Sequence, residues 1–181
     1  MNIQYWLPLF VVILAFFCIS AEPVTRESAR PAKVKTYIQK YDYLARDLKR
    51  QTGIPVAIIF AVAGLESNWG TSDLAVRGNN HFGIKSNNWS GPTYCKRTPE
   101  YDYVRGQFYS SYECFRKYDL IRNSYLDFGR YLKTRGLYDR LFYNSEQDYE
   151  SWTEGLQRAG YATDPEYARK LMRLILEYRL F

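Results

Sequence analysis

The stretch PVAIIFAVAGLESNWG, residues 55–70, decides the fold of this 181-residue chain. Pro55 suits the first turn of a helix, where its missing N–H group is not needed. The residues that follow, as far as Leu65, would be apolar on every side of a helix, which is typical of a helix buried inside a domain. We therefore predict a central buried helix around which the rest of the chain packs.

Glu66 follows this apolar run, and no other charged residue lies between Gly53 and Glu66. Apolar surroundings disfavour a carboxylate, and so does the negative end of the helix dipole at the last turn of a helix. Both effects raise the pKa of the side chain, as a general acid for glycosidic cleavage requires. The alternative is a solvated glutamate at a frayed helix end, and the residues alone leave both interpretations open.

The rest of the chain is predicted to be mainly helical from its apolar spacing and its helix-ending residues. Further helices are expected over 34–48 before Gly53, over 120–135, over 138–142, from a Ser145 cap to Gly160, and from Asp164-Pro165 onward. Residues 67–118 are predicted to be irregular apart from one β-hairpin that turns at Arg105-Gly106. The predicted fold class is mainly α (α+β), a helical domain with a small β-hairpin lobe.

The composition is that of a globular protein, with 46% hydrophobic residues, 24% charged residues and a net charge of +6. This balance excludes a disordered or fibrous chain. His81 is the single histidine, which excludes a zinc site built on two or three imidazoles, and we predict neither a metal nor a cofactor. The positive charge favours polyanionic cell-wall polymers as partners or serves only solubility, and no nucleic-acid-binding motif accompanies it.

Residues 1–21 carry no charged side chain and include an apolar stretch of signal-peptide length. We predict a signal peptide or an uncleaved N-terminal anchor over 1–21, a linker over 22–32 and one domain over 33–181. The protein is therefore expected to be exported to the periplasm, the cell envelope or the medium, with membrane contact only through an uncleaved N-terminal segment. In that oxidising environment we predict a disulfide between Cys95 and Cys114, two free thiols being the alternative.

The segment after Glu66 combines amide side chains with aromatic rings. Amides pair with the acetamido and hydroxyl groups of N-acetyl sugars, while aromatic rings cover the apolar faces of the sugars. The candidates for such contacts are Trp69, Asn79, Asn80 and Phe82. For Trp69 and Phe82, packing in the core beneath an ordered loop is the alternative.

Three motifs resemble those of the glucosaminidase family, glycoside hydrolase family 73: ESNWGTSDLAVRGNNHFGIKS at 66–86, CFRKYD at 114–119 and AGYATDPEYARKL at 159–171. The resemblance spans residues 35–180. It implies a lysozyme-like scaffold and an endo-β-N-acetylglucosaminidase of the autolysin type, which cleaves peptidoglycan between N-acetylglucosamine and N-acetylmuramic acid with Glu66 as the acid. A non-catalytic peptidoglycan-binding or scaffold protein, a muramidase and a lytic transglycosylase remain the alternatives.

The resemblance also suggests further site residues. It implies a second carboxylate on the hairpin, for which Glu100 is the candidate and Asp102 and Glu113 are the alternatives. Tyr161 resembles a family tyrosine that lines the cleft beside the acid and is a catalytic candidate, with packing on Trp152 as the alternative. Tyr118 joins the substrate-binding candidates. His81 departs from the family pattern, which usually has an apolar residue there. The expected partner is the peptidoglycan glycan strand, bound by a monomer.

Overall fold

The computed structural model describes residues 30–181, which form a helical domain with one inserted hairpin. The elements in chain order are α1 (Ala32–Thr52), α2 (Val56–Ser67), α3 (Asp73–Gly78), β1 (Thr93–Asp102), β2 (Gln107–Arg116), α4 (Ile121–Lys133), a 3₁₀ helix (Gly136–Tyr143), α5 (Tyr149–Arg158) and α6 (Tyr167–Glu177). The predicted fold class is confirmed. None of the helices within residues 30–181 combines the length and the apolar character needed to span a bilayer.

The N-terminal predictions fall mostly outside the described residues. The signal peptide or anchor over 1–21 lies outside them, and so do residues 22–29 of the predicted linker. The end of that linker belongs to the folded domain. The guanidinium of Arg30 donates hydrogen bonds to the carbonyl oxygens of Tyr178 and Arg179, at 2.7 and 2.9 Å, and Ala32 begins α1.

Helix α2 is the buried centre of the domain, as its apolar sequence predicts. Every residue from Ala57 to Gly64 is buried, and α1, α5 and α6 pack around the helix. Full burial of one large aliphatic side chain contributes about 1.5–3 kcal/mol, so this helix supplies a large share of the core. It ends at Ser67, and Asn68 then takes the left-handed conformation with φ 48°. The last turn of α2 is thereby held at the edge of a rigid core.

Some helix boundaries differ from the sequence prediction. Helix α3 forms within a segment that we predicted to be irregular, and Ser72 caps it with its side-chain oxygen. Helix α5 is capped by the carboxylate of Asp148 rather than by Ser145, and α6 begins at Tyr167, after a turn that starts at Asp164. Neighbouring polar side chains can serve equally well as caps, so packing decides which of them does.

Strands β1 and β2 pair antiparallel, and their register sets Cys95 directly opposite Cys114. The two cysteines form a disulfide with an S–S distance of 2.03 Å, as the sequence predicts. The base of the hairpin is joined to the loop after α3, because the N–H of Arg116 donates to the Ile84 carbonyl at 3.0 Å and the N–H of Ser86 to the Cys114 carbonyl at 2.9 Å. The hairpin is therefore fixed at its base to the helical body.

Candidate active site

A cleft of about 520 Å³ lies between the hairpin, the loop that joins α5 to α6, and the C-terminal end of α2. Each of these elements contributes polar side chains or backbone to its wall, together with the loop after α3. The lining includes Glu66, Gly83, Lys85, Glu100, Tyr161 and Thr163. The cleft thus brings together two carboxylates from different elements of the fold.

Glu66 lies in the last turn of α2 and is partly buried at the wall of the cleft. The hydroxyl of Tyr167, at the start of α6, donates a hydrogen bond to Glu66 Oε1 at 2.9 Å. Burial raises the pKa of Glu66 to about 7, with a further rise from Asp164 and Glu100, whereas Tyr167 and Lys96 act in the opposite direction. The end of the helix dipole also favours the neutral form. The side chain can therefore carry a transferable proton at neutral pH.

The loop after α3 approaches Glu66 through Gly83. Gly83 has φ +66°, which favours glycine, and a Cβ built there would lie 2.6 Å from Glu66 Oε2, so a larger residue would displace the Glu66 carboxyl group. The carbonyl of the preceding Phe82 accepts a hydrogen bond from the Tyr161 hydroxyl at 2.7 Å. The Tyr161 ring stacks on Tyr167 with 5.8 Å between ring centroids. The two tyrosines therefore connect the loop, α6 and the carboxyl group of Glu66.

Glu100 stands on β1 and is buried beside the cleft. Its Oε1 lies 2.7 Å from Lys85 Nζ, and its Oε2 accepts a hydrogen bond from the Thr163 hydroxyl at 2.9 Å. The N–H of Tyr101 donates to the same Thr163 oxygen at 3.2 Å, which joins β1 to the loop after α5. A buried carboxylate requires such partners. Glu100 thus has a cation beside it, whereas the hydroxyl bound to Glu66 is neutral.

The two alternative acidic residues of the hairpin have other surroundings. Asp102 braces the hairpin turn, since its Oδ1 accepts hydrogen bonds from two backbone N–H groups of that turn. Glu113 lies 3.3 Å from the same Lys85 that pairs with Glu100. A hydrogen bond from the Ser111 hydroxyl, at 2.6 Å, lowers the pKa of Glu113. Of the three carboxylates, Glu100 is the one that lines the cleft.

The structure does not bring the predicted substrate-binding aromatic residues to the cleft, because all of them are packed inside. Phe82 is fully buried and stacks on Phe128 with 4.3 Å between centroids. The ring of Trp69 packs so closely on Gly64 that a Cβ there would lie 2.7 Å from it. Tyr118 is buried and donates a hydrogen bond to Asp127 at 2.6 Å. Core packing, the alternative considered for Trp69 and Phe82, is what the structure has.

The two asparagines brace backbone instead of facing the cleft. The amide nitrogen of Asn79 donates to the carbonyl oxygens of Tyr118 and Asp119, at 2.8 and 3.2 Å. The amide of Asn80 donates to the carbonyls of Ile84 and Arg116, and its oxygen accepts from the N–H groups of residues 82 and 84. Both side chains therefore hold backbone around the loop that carries Gly83.

Three cleft contacts were not predicted from the sequence: Tyr167 on Glu66, and Lys85 and Thr163 on Glu100. Each contact joins residues that are distant in the sequence. All three residues lie inside the family motifs, at 66–86 and 159–171, and that position was the one available signal. Among residues 30–181, no group of three or more His, Cys, Asp or Glu side chains is arranged to hold a metal ion.

A helical domain and a hairpin lobe that share a cleft with two carboxylates define a class of protein, the glycoside hydrolases that use an acid and a second carboxyl group. Residues 42–180 match the model of the Glucosaminidase family, described as mannosyl-glycoprotein endo-beta-N-acetylglucosaminidase. The chain belongs to this family. The family resemblance of the sequence motifs is thereby confirmed.

Similar proteins of known name include peptidoglycan hydrolase FlgJ of Pseudomonas aeruginosa, 29% identical over 90% of this chain and 41% of FlgJ. Exo-glucosaminidase LytG of Bacillus subtilis is 28% identical over 96% of this chain and 62% of LytG. The chain therefore spans less than two thirds of either relative. Among solved structures, a peptidoglycan hydrolase mutant from Sphingomonas sp. A1 is 31% identical, with a TM-score of 0.71 over 80% of this chain and 94% of that chain.

Proposed function

We propose that this protein is a peptidoglycan hydrolase that cleaves the β-1,4 bond between N-acetylglucosamine and N-acetylmuramic acid, as an endo-β-N-acetylglucosaminidase. The observation that carries the proposal is the pair of unlike carboxyl groups in one cleft. Burial raises the pKa of Glu66 to about 7, whereas Glu100 is held in an ion pair with Lys85. Two carboxyl groups with different environments are suited to two different roles in glycoside cleavage.

In the proposed reaction Glu66 transfers its proton to the glycosidic oxygen as the bond from that oxygen to the anomeric carbon breaks. The leaving sugar departs as an alcohol, and positive charge develops on the ring that remains. Glu66 is then a carboxylate, and the hydrogen bond from the Tyr167 hydroxyl stabilises this form. Water completes the reaction at the anomeric carbon, and its released proton restores the acid.

Glu100 is the proposed second group, because it lines the cleft and its carboxylate is held in place by Lys85 and Thr163. It would accept a proton from the attacking water, the role of the base in an inverting enzyme, or stabilise the charge on the sugar ring. The acetamido group of the substrate is the other candidate nucleophile. Glu100→Gln should lower turnover if Glu100 acts directly, whereas near-normal turnover would favour the pathway through the acetamido group.

Tyr161 is proposed to shape the cleft beside the acid. Burial, and then the nearby Glu66, raise the pKa of the Tyr161 hydroxyl well above its usual value, so it remains a neutral hydrogen-bond donor. That hydroxyl donates to the Phe82 carbonyl, which fixes the loop carrying Gly83 next to Glu66. This arrangement supports a positioning role for Tyr161 during proton transfer.

We also propose that the protein acts outside the cytoplasm, in the cell envelope or beyond it. The disulfide between Cys95 and Cys114 supports an oxidising environment. The uncharged residues 1–21 are consistent with an export signal or an anchor. Relatives named as peptidoglycan hydrolase and autolysin agree with a location at the cell wall.

Product analysis tests the proposed reaction. Purified protein is incubated with insoluble peptidoglycan, the soluble products are reduced with borohydride, and the reduced ends are identified by mass spectrometry. We expect N-acetylglucosaminitol at the new ends, with fragments of several lengths because cleavage is internal. Reduced muramic acid would identify a muramidase, and anhydromuramic ends a lytic transglycosylase. Binding to the wall with no product would identify a non-catalytic protein.

A further inference from the structure

The far end of the hairpin carries aromatic residues that take no part in the core. Tyr101, Tyr103 and Phe108, together called the tip cluster, contact one another edge to face. The ring centroid of Tyr101 lies 5.1 Å from that of Tyr103 and 5.0 Å from that of Phe108. Tyr103 is 65% exposed, Phe108 is 54% exposed, and Val104 between them is 96% exposed. A group of large apolar side chains held in water marks a site of interaction.

The tip cluster is held in a fixed arrangement by the backbone. The N–H of Gly106 donates to the carbonyl of Asp102 at 2.8 Å, and the Asp102 side chain accepts hydrogen bonds from the N–H groups of Val104 and Arg105. Tyr101 and Phe108 are a directly opposed cross-strand pair. Because the rings are already ordered, a ligand that stacks on them would lose little conformational entropy from the protein.

The tip cluster continues from the candidate active site. Phe108 lines the cleft, and the N–H of Tyr101 donates to Thr163, whose hydroxyl also donates to Glu100. A glycan strand is a polymer longer than the cleft, so sugars beyond the cleaved bond leave the cleft over its rim. The strand that enters the cleft at the hairpin side would therefore pass the tip cluster.

The chemistry of the tip cluster fits a sugar better than a lipid bilayer. A pyranose ring has an apolar C–H face with hydroxyl groups at its edge, and tyrosine offers a flat apolar face with a polar end. The two charged residues of the turn, Asp102 and Arg105, lie 3.6 Å apart and compensate each other. A tip that binds an anionic membrane would instead present uncompensated cations.

We infer that the tip cluster is a glycan-binding surface that extends outward from the hairpin rim of the cleft, where Phe108 lies, and stacks on sugars of the peptidoglycan strand distant from the cleaved bond. This inference rests on the proposed function for the identity of the polymer. It assigns to the hairpin a second task, independent of the carboxylate that it contributes to the cleft.

The experiment measures binding without hydrolysis, so that it does not depend on catalysis. The parent is the full chain with Glu66→Gln, and the variants add Tyr103→Ala alone or Tyr103→Ala with Phe108→Ala. Tyr143→Ala is the matched control, because Tyr143 is 87% exposed but lies on the 3₁₀ helix. Dissociation constants are measured by co-sedimentation with insoluble peptidoglycan and by calorimetry with a tetrasaccharide of alternating N-acetylglucosamine and N-acetylmuramic acid. Circular dichroism of each variant verifies folding.

We expect Tyr103→Ala to weaken binding to insoluble peptidoglycan about threefold and the double variant about tenfold, as loss of one or two aromatic contacts implies. Tyr143→Ala should bind as the parent does. For Tyr103→Ala, binding to the tetrasaccharide should weaken less than binding to the long strands, since the short ligand occupies the cleft and Tyr103 is not among the residues that line it.

Three results would overturn the inference: unchanged wall binding by the double variant, a loss of tetrasaccharide binding with Tyr103→Ala that equals its loss of wall binding, or a parent that does not bind the wall. The parent and the double variant are also sedimented with anionic phospholipid vesicles. If only the parent binds the vesicles while both bind the wall equally, the surface would be assigned to a membrane instead. Failure of this inference can be distinguished from failure of the proposed function. The proposed function fails if the unsubstituted protein releases no products, and the inference fails if the tip variants bind the wall as the parent does.

Discussion

At the scale of single residues, Glu66 and Glu100 line one cleft in different surroundings. Glu66 accepts a hydrogen bond from a neutral hydroxyl, and burial raises its pKa to about 7. Glu100 is paired with an ammonium group at 2.7 Å. The same side-chain type is therefore suited to donate a proton in one position and has a cationic partner in the other.

The raised pKa of Glu66 predicts the alkaline side of the pH profile. The acid acts only in its protonated form, so kcat/KM on a soluble glycan should be highest below about pH 7. Above that value it should fall roughly tenfold per pH unit, because the protonated fraction falls at that rate. A profile measured from pH 4 to 9 tests this, and constant activity up to pH 9 would show that no group of this pKa donates the proton.

Lys85 is predicted to act through Glu100. Lys85→Met removes the cation that holds the buried carboxylate in place, so turnover should fall roughly tenfold. Lys85→Arg, which keeps the charge, should retain more activity and serves as the control. In a protein that already carries Glu100→Gln, Lys85→Met should have little further effect. Full additivity of the two losses would contradict this coupling.

The acid could be predicted from the sequence, whereas its partners could not. Glu66 is the one charged side chain after a long apolar helix, so its environment followed from its neighbours in the chain. Tyr167 lies 101 positions from its partner Glu66 in the sequence, and Thr163 lies 63 positions from its partner Glu100. The sugar-binding prediction for Asn79 and Asn80 missed that an ordered loop uses such amides to satisfy its own backbone.

At the scale of elements, the hairpin carries half of the candidate site on two strands with no third strand beside them in the described residues. A two-stranded ribbon is marginally stable by itself. The disulfide and the hydrogen bonds to the loop after α3 supply its support. The sequence was sufficient to predict the hairpin and its cysteine pair, but not α3, whose six residues were too few for a periodic pattern.

Removal of the disulfide should affect activity more than folding of the helical core. Both cysteines lie on the hairpin, so the bridge restrains local opening of β1 and β2 and makes no link to the helices. Replacing both cysteines with serine should therefore lower turnover at least several-fold, while the thermal midpoint of the helical signal falls by only a few degrees. Hydrogen exchange should rise mainly in β1 and β2. Unchanged exchange and turnover would make the bridge dispensable.

At the scale of the whole molecule, His81 connects three parts of the core. Its Nδ1 lies 2.6 Å from the Tyr37 hydroxyl of α1, and that hydroxyl is 3.1 Å from the Tyr125 hydroxyl of α4. Burial, with a smaller contribution from Lys40, lowers the pKa of His81 from 6.5 to about 4. The folded protein therefore holds the neutral ring, while the unfolded chain protonates it at higher pH.

This difference predicts a loss of stability in acid. Between about pH 6.5 and pH 4 the unfolded state binds the extra proton, so stability is fully present above pH 6.5 and declines as the pH falls, by at most about 3 kcal/mol. His81→Leu, closer to the apolar residue usual in the family, should reduce this decline. Urea unfolding at pH 7 and pH 4.5 gives the measurement, and equal pH dependence in both proteins would exclude His81 as the cause.

The central claim is that Glu66 is the general acid, and Glu66→Gln tests it most directly. The amide keeps the size and hydrogen-bonding reach of the side chain but has no proton to donate, so turnover on peptidoglycan should fall by at least about 100-fold. Glu154→Gln, at an exposed position on α5, is the matched control and should retain full turnover. Wall binding and the thermal midpoint of Glu66→Gln should stay near those of the unsubstituted protein. Ordinary turnover by a folded Glu66→Gln protein would contradict the account, because Glu66 would then be only a structural residue at the end of α2.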